Sequence, residues 1–244
     1  LCNRRDAYFG HRYFELHIIF VAIMAPICGP YGPRSFLNWH LYPETMKKKL
    51  AIAKPVAVFC ARIALLQMKK GLHWIQEQPF PSKLYEESPW PTVLDQEGVV
   101  QIIYDRCMCG LKVMRGPHKG PAIKKRSSMT ASSYLLLVPF IGLKCKGNHT
   151  HLQMDGVPRE LSEAQVWTHN EATRIIDGVF LLKRECKGKS NHYMQFSAEA
   201  FPHWTPMTVG EIKQAQPNPP AWHNPNQRDP RAPNRNRCNC DPCR

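Results

Sequence analysis

Two hydrophobic rhythms run along the first three quarters of the chain. A continuous apolar run extends from Leu16 to Cys28, broken only by His17 near its start. It is shorter than the roughly 20 residues that a bilayer span requires. It follows Arg4, Arg5, His11 and Arg12 and so imitates a secretory signal. Glu15 at its edge, and the lack of a small-x-small site before the Gly29-Pro30-Tyr31-Gly32-Pro33 turn, favour a buried strand over Ile18 to Met24. Helical periodicity comes next. Ile52, Val56, Phe59, Ile63 and Leu66 recur at steps of four and three, predicting a helix from about Glu44 to Lys70. Lys69 and Lys70 suit its last turn and Gly71 the position just beyond it, while Pro55 kinks it or marks its true start.

Short elements then alternate. Leu72 to Glu77 reads as a strand stopped by Pro79 and Pro81, and Trp90–Gln96 as a brief helix. Val99–Tyr104 is a β-branched strand, and Leu111 to Ser128 a basic loop. A second helix is expected from about Glu163 or Trp167 to Leu182. The βαβ rhythm predicts a parallel sheet with helices on both faces. From Gln216 to Arg244 the pattern collapses: 18 of the 29 residues are Pro, Asn or Arg, which predicts a disordered basic tail. The expected organisation is an α/β domain over 1–185, an irregular extension over 186–215 and the tail over 216–244.

Charge changes this picture. Thirty-three Lys+Arg against nineteen Asp+Glu leave +14, which favours a polyanionic partner. The tail carries only +3 of it. Arg115, Lys119, Lys124, Lys125 and Arg126, with Lys112, make the stretch from Leu111 to Met129 basic without an acid, so these residues are candidate phosphate contacts. A solvated charge run is the plainer alternative. Ten cysteines are too sparse in 244 residues for a disulfide scaffold, so an intracellular protein, nuclear or cytoplasmic, is expected rather than a secreted or membrane-bound one.

Two constellations carry candidate chemistry. Cys28 lies just past a predicted strand in a Gly/Pro turn, and Glu77 leaves the next strand at the same sheet edge, where doubly wound sheets bind ligands. A thiol and a carboxylate so placed can serve as nucleophile and acid. A buried small residue beside a loop glutamate is the plainer reading. Cys145-x3-His149-x-His151 has ligand types at metal-like spacing, and Cys107 or Cys109 could complete a tetrahedral zinc site. Cys238-x-Cys240-x2-Cys243 in the tail is a weaker counterpart of the same kind. His73, Trp74 and Trp90 read as packing groups rather than base-stacking ones.

Pro26-x-Cys28 on one strand and Glu77 on the next resemble the Pro-Cys and Glu-Asn motifs of DNA cytosine-5 methyltransferases. Residues 24–178 more closely resemble the divergent methyltransferase-like domain of retrotransposon-type (Gag-Pol-like) polyproteins. The matching pieces are MAPICGPYGPRSFLN (24–38), ALLQMKKGLHWIQEQPFPSKLYEESPWP (64–91), YDRCMCG (104–110), KKRSSMTAS (124–132) and CKGNHTH (145–151). The resemblance implies a Rossmann-like fold, S-adenosylmethionine as cofactor, and nucleic acid, DNA rather than RNA, as partner, beside other polyprotein domains. It also implies that Cys28 attacks C6 of a flipped cytosine while Glu77 holds N3. Ile27 stands in place of the family's second proline, and Gln78 in place of its asparagine. The 27 residues before Cys28 offer Phe9-Gly10 rather than a Gly-x-Gly turn. The cofactor half is therefore expected to be missing and catalysis impaired. An active methyltransferase and a non-enzymatic basic nucleic-acid-binding protein are the alternatives.

Overall fold

The computed structural model describes residues 4–115, 119–152 and 164–188. The chain opens with helix α1 (Arg4–Leu16), followed by strand β1 (Val21–Met24), helices α2 (Ser35–Leu41) and α3 (Pro43–Lys69), and strand β2 (His73–Pro79). Short helix α4 (Trp90–Leu94) leads to β3 (Val100–Asp105), and β4 (Ala122–Ile123) to β5 (Arg126–Ala131). The last elements are β6 (His151–Leu152) and helix α5 (His169–Gly188). The predicted strand at Ile18 is shorter than expected, and the basic segment before it is helical. The predicted tail and nearly all of the 186–215 extension lie outside the described residues.

The main sheet has the order β1-β2-β5-β3. β1 and β2 are parallel, with Met24 opposite Gln76, whereas β5 runs antiparallel to both β2 and β3. The expected all-parallel sheet is thus a mixed one. Residues 126–128, expected to end a basic loop, instead open a strand between β2 and β3. Their polarity hid them. Ser127, Ser128 and Thr130 are buried; small hydroxyls tolerate burial when bonded to neighbours, as Ser128 and Thr130 are, whereas Ser127 Oγ makes no hydrogen bond among the described residues. Ser128 Oγ donates to the Gln78 carbonyl at 3.2 Å, and Gln101 Nε2 donates to Thr130 Oγ1 at 2.7 Å.

Apolar clusters cover both faces of this sheet. On one, Ala22, Met24 and Trp74 pack with the α3 alanines and with Trp90 and Val93 of α4. On the other, Ile75, Ile102, Tyr104 and Met129 pack with Ile175 and Leu182 of α5. Side chains alternate along a strand, so Trp74, Gln76 and Gln78 share the α3 side while Ile75 and Glu77 share the α5 side.

Helix α3 contains the predicted 44–70 segment, but its inward face differs from the expected one. Met46, Ala53, Ala57, Cys60, Ala61, Ile63 and Ala64 are buried, whereas Ile52 is 54% exposed. Alanines on the inner face let the helix approach the bulky Trp74 and Trp90, so small residues rather than large ones mark the interface. By length and hydropathy α3 could cross a bilayer; here its alanine face packs on the sheet. Its end is as predicted: Gly71 adopts φ +66°, Gly71 N donates to Met68 O and Leu72 N to Gln67 O, together closing a Schellman motif.

Candidate functional site

β1 and β2 end side by side, and the two loops beyond them form one wall of a cleft of about 470 Å³. Cys28, Lys49, Phe80, Lys124, Lys125 and Arg126 all contribute to its lining. The loop after β1 is organised by the Cys28 carbonyl, which accepts from Tyr31 N at 3.0 Å and Gly32 N at 2.9 Å. Gln78 ties this loop to β2. Its Nε2 donates to Pro26 O at 3.0 Å while its Oε1 accepts from Ser82 Oγ at 3.2 Å. Gln78 therefore joins the strand of Glu77 to the loop of Cys28.

Glu77 is 6% exposed, and its Oε1 makes no hydrogen bond among the described residues. Buried polar atoms are nearly always bonded, so such an orphan in a native interior calls for an explanation. Two cations lie in its field, Arg106 and Lys125. Burial pushes the Lys125 ammonium down, and the Glu77 carboxylate pulls it back up. Lys125 Nζ donates to Ala164 O at 2.9 Å, so this half-buried lysine points inward. Arg115, Lys119, Lys124 and Arg126, the other expected phosphate contacts, are exposed. Arg126 also donates to Asp105 Oδ1 at 3.3 Å.

Cys28 is half-buried and free. Burial raises its thiol above the ordinary range; Lys125 opposes that rise and Glu77 adds to it. Alkylation follows the thiolate fraction. Lys125→Met is therefore expected to slow iodoacetamide modification of Cys28 at pH 8, and Glu77→Gln to speed it. Peptide-level mass spectrometry reads both rates, and equal rates in the two variants would remove the electrostatic link.

Beneath the site lies a network that the sequence reading missed. Arg106 and Glu171 are both fully buried and paired, with Arg106 Nη2 at 2.6 Å from Glu171 Oε2. Arg106 also donates to Ala164 O at 2.6 Å and to Val166 O at 2.7 Å, and Tyr104 OH donates to Glu171 Oε1 at 3.1 Å. Burial, then the Glu171 carboxylate, holds the Tyr104 phenol well above its usual range. Glu171 further accepts from Thr168 N at 2.7 Å, while Thr168 Oγ1 accepts from Glu171 N at 3.1 Å. That reciprocal pair is a capping box at the start of α5. Its signature, Thr168-x-x-Glu171, stands in the sequence and would have placed the helix start.

The third feature is the Cys/His cluster. Cys107 lies in the 3₁₀ turn Arg106–Cys109, and the other three residues belong to the loop that ends in β6. The ligand atoms of Cys107, Cys145, His149 and His151 all lie within 4.8 Å of one another, so the group could hold a metal ion. Of the two cysteines that sequence left open, Cys107 completes the group. Cys109 instead packs in the core under α5, and burial raises its thiol to about 11. The parallel pairing of β4 with β6 joins this loop to the basic segment. Cys238, Cys240 and Cys243 lie outside the described residues.

No family model, no curated protein and no solved structure matches the chain.

Proposed function

We propose that the chain is a nucleic-acid-associated, methyltransferase-like domain of a retroelement-type polyprotein, with Cys28 and Glu77 facing a base. The observation that carries this reading is the orphaned carboxylate oxygen of Glu77, which lies inside β2 and acts electrostatically on the Cys28 thiol in the loop after the adjacent parallel strand β1. A buried carboxyl oxygen without a partner suits the Watson–Crick edge of a cytosine: its N4 amino group brings N–H donors, and its N3, which carries no hydrogen in the neutral base, would take a proton from the acid form of Glu77 as a thiolate adds at C6. A thiolate adding at C6 leaves negative charge on the ring until N3 takes a proton, and the positive charges of Lys125 and Arg106, which already act on Cys28, favour that step.

Among the described residues, none forms a glycine-rich turn before Cys28 that would fit S-adenosylmethionine. Phe9-Gly10, the nearest approach to a glycine-rich turn before Cys28, lies inside helix α1. The proposed role is therefore binding of nucleic acid, with Cys28 and Glu77 set toward the base. Exposed Lys124 and Arg126 at the cleft supply the phosphate contacts, with Arg115 and Lys119 further along the same loop.

Binding to a short cytosine-containing DNA duplex tests the proposal. Affinity should fall with salt by a log–log slope of about −0.9 per phosphate contact. Lys124→Ala and Arg126→Ala should each flatten that slope by about 1, while Cys28→Ala leaves it unchanged. Undetectable or salt-independent binding would sink the proposal. If binding holds, methyl transfer measured with added S-adenosylmethionine separates an active enzyme from a non-enzymatic binder, since only an enzyme would lose a signal on Cys28→Ala.

A further inference from the structure

The geometry points to a structural zinc site formed by Cys107, Cys145, His149 and His151. In a tetrahedral zinc centre, Zn–S of about 2.3 Å and Zn–N of about 2.0–2.1 Å set adjacent S and N ligand atoms about 3.6 Å apart. Cys145 Sγ lies 3.7 Å from His149 Nε2 and 3.5 Å from His151 Nε2. All four ligand atoms fall within 4.8 Å, which is the space one ion would draw together.

The surrounding groups are arranged as ligand supports. His149 Nδ1 faces Asn148 Oδ1 at 3.2 Å. Donation from Nδ1–H to that oxygen leaves the Nε2 lone pair aimed at the cluster, the tautomer that a metal needs. Gly147 N donates to Cys145 Sγ at 3.4 Å, a bond that stabilises a thiolate, and Gly147 reaches the turn with φ +76°. Asp105 Oδ2 accepts from Cys145 N at 2.9 Å and so anchors the loop to the end of β3.

The donor set selects the ion. Two thiols and two imidazoles are soft to borderline ligands that suit zinc over magnesium or calcium. Binding releases two thiol protons, and the resulting thiolates cancel the 2+ charge. A net neutral centre is one that a half-buried position tolerates. The site closes on four protein ligands with none left for water, which marks it as structural. It staples the Cys145–His151 loop to the 3₁₀ turn that also carries Arg106. Residues distant in sequence are thereby held together beneath the basic segment, where β6 pairs with β4.

The test uses the full chain carrying Cys238→Ser, Cys240→Ser and Cys243→Ser, so that the tail cannot supply ligands. After chelation under reducing conditions, this protein should take up one equivalent of zinc. With cobalt it should show the intense visible bands of a tetrahedral thiolate complex. Zinc should protect Cys107 and Cys145 from iodoacetamide by about 100-fold or more, as expected for ligands held in a tight structural site. Cys28 serves as the internal control, its rate unchanged by zinc. Cys145→Ser should weaken zinc binding by about 100-fold or more. Because that variant could unfold, the protection measured on the parent protein is decisive by itself. Equal alkylation rates of Cys107 and Cys145 with and without zinc in the reduced protein would overturn the site.

Discussion

Glu171→Ala is expected to cost about 3–5 kcal/mol of folding stability, read as a lowered urea midpoint. The size comes from what the substitution leaves behind. Arg106 is fully buried, and without Glu171 its guanidinium keeps, among the described residues, the Ala164 and Val166 carbonyls and the weaker field of Glu77 to balance a full charge. Tyr104 OH and Thr168 N lose their acceptor as well, and the capping box at the start of α5 opens. Glu171→Gln keeps the shape and an acceptor oxygen but not the charge, so its loss should be smaller. A double variant, Arg106→Met with Glu171→Leu, separates pairing from packing. A buried ion pair replaced by apolar residues is often close to neutral, so the double variant should lose less than the two single changes added together. Strict additivity would mean that the pair is not coupled.

Trp90→Ala should cost about 3–5 kcal/mol through the cavity it opens. The indole is fully buried between α3 and β2, edge-on to Trp74 at 5.8 Å and to Tyr85 at 5.5 Å. Its Nε1 donates to the Ala57 carbonyl at 3.0 Å, a bond lost with the ring. The alanines of α3 are too short to fill the space from their side. Trp90→Phe retains part of the packing and should fall between wild type and Trp90→Ala. Thermal unfolding orders the three proteins, and a midpoint for Trp90→Ala within about 2 °C of wild type would exclude this account of the packing.

The two substitutions probe features of different legibility. Trp90 stands in a short helix that the sequence pattern located, and its role as a packing group was expected. The Arg106–Glu171 pair was not, because its members are far apart in the chain and each reads alone as a surface charge. The same contrast runs through the candidate sites. Cys145, His149 and His151 lie within seven residues of one another, so their metal-type spacing is visible without a fold. The fourth ligand was ambiguous between Cys107 and Cys109 until the 3₁₀ turn directed one thiol to the loop and the other to the core. Lys125 reads as one cation in a basic run, yet it turns inward to Ala164 and into the field of Cys28 and Glu77.

Local rules are written in the sequence: that α3 stops just before Gly71, that Leu72–Glu77 and Val99–Tyr104 are extended, that Cys28 follows one strand while Glu77, expected to leave the next, lies within it. Each depends on propensity and neighbours within a few residues. The tertiary structure alone decided that β5 enters the sheet between β2 and β3, that the alanine face of α3 is its inner one, and that a Glu77 oxygen is left without a partner. Those outcomes depend on which distant groups meet a side chain. A serine is buried where a neighbouring strand offers it an acceptor, a small residue where a tryptophan fills the space above it, and a charge where an opposite charge is brought within reach.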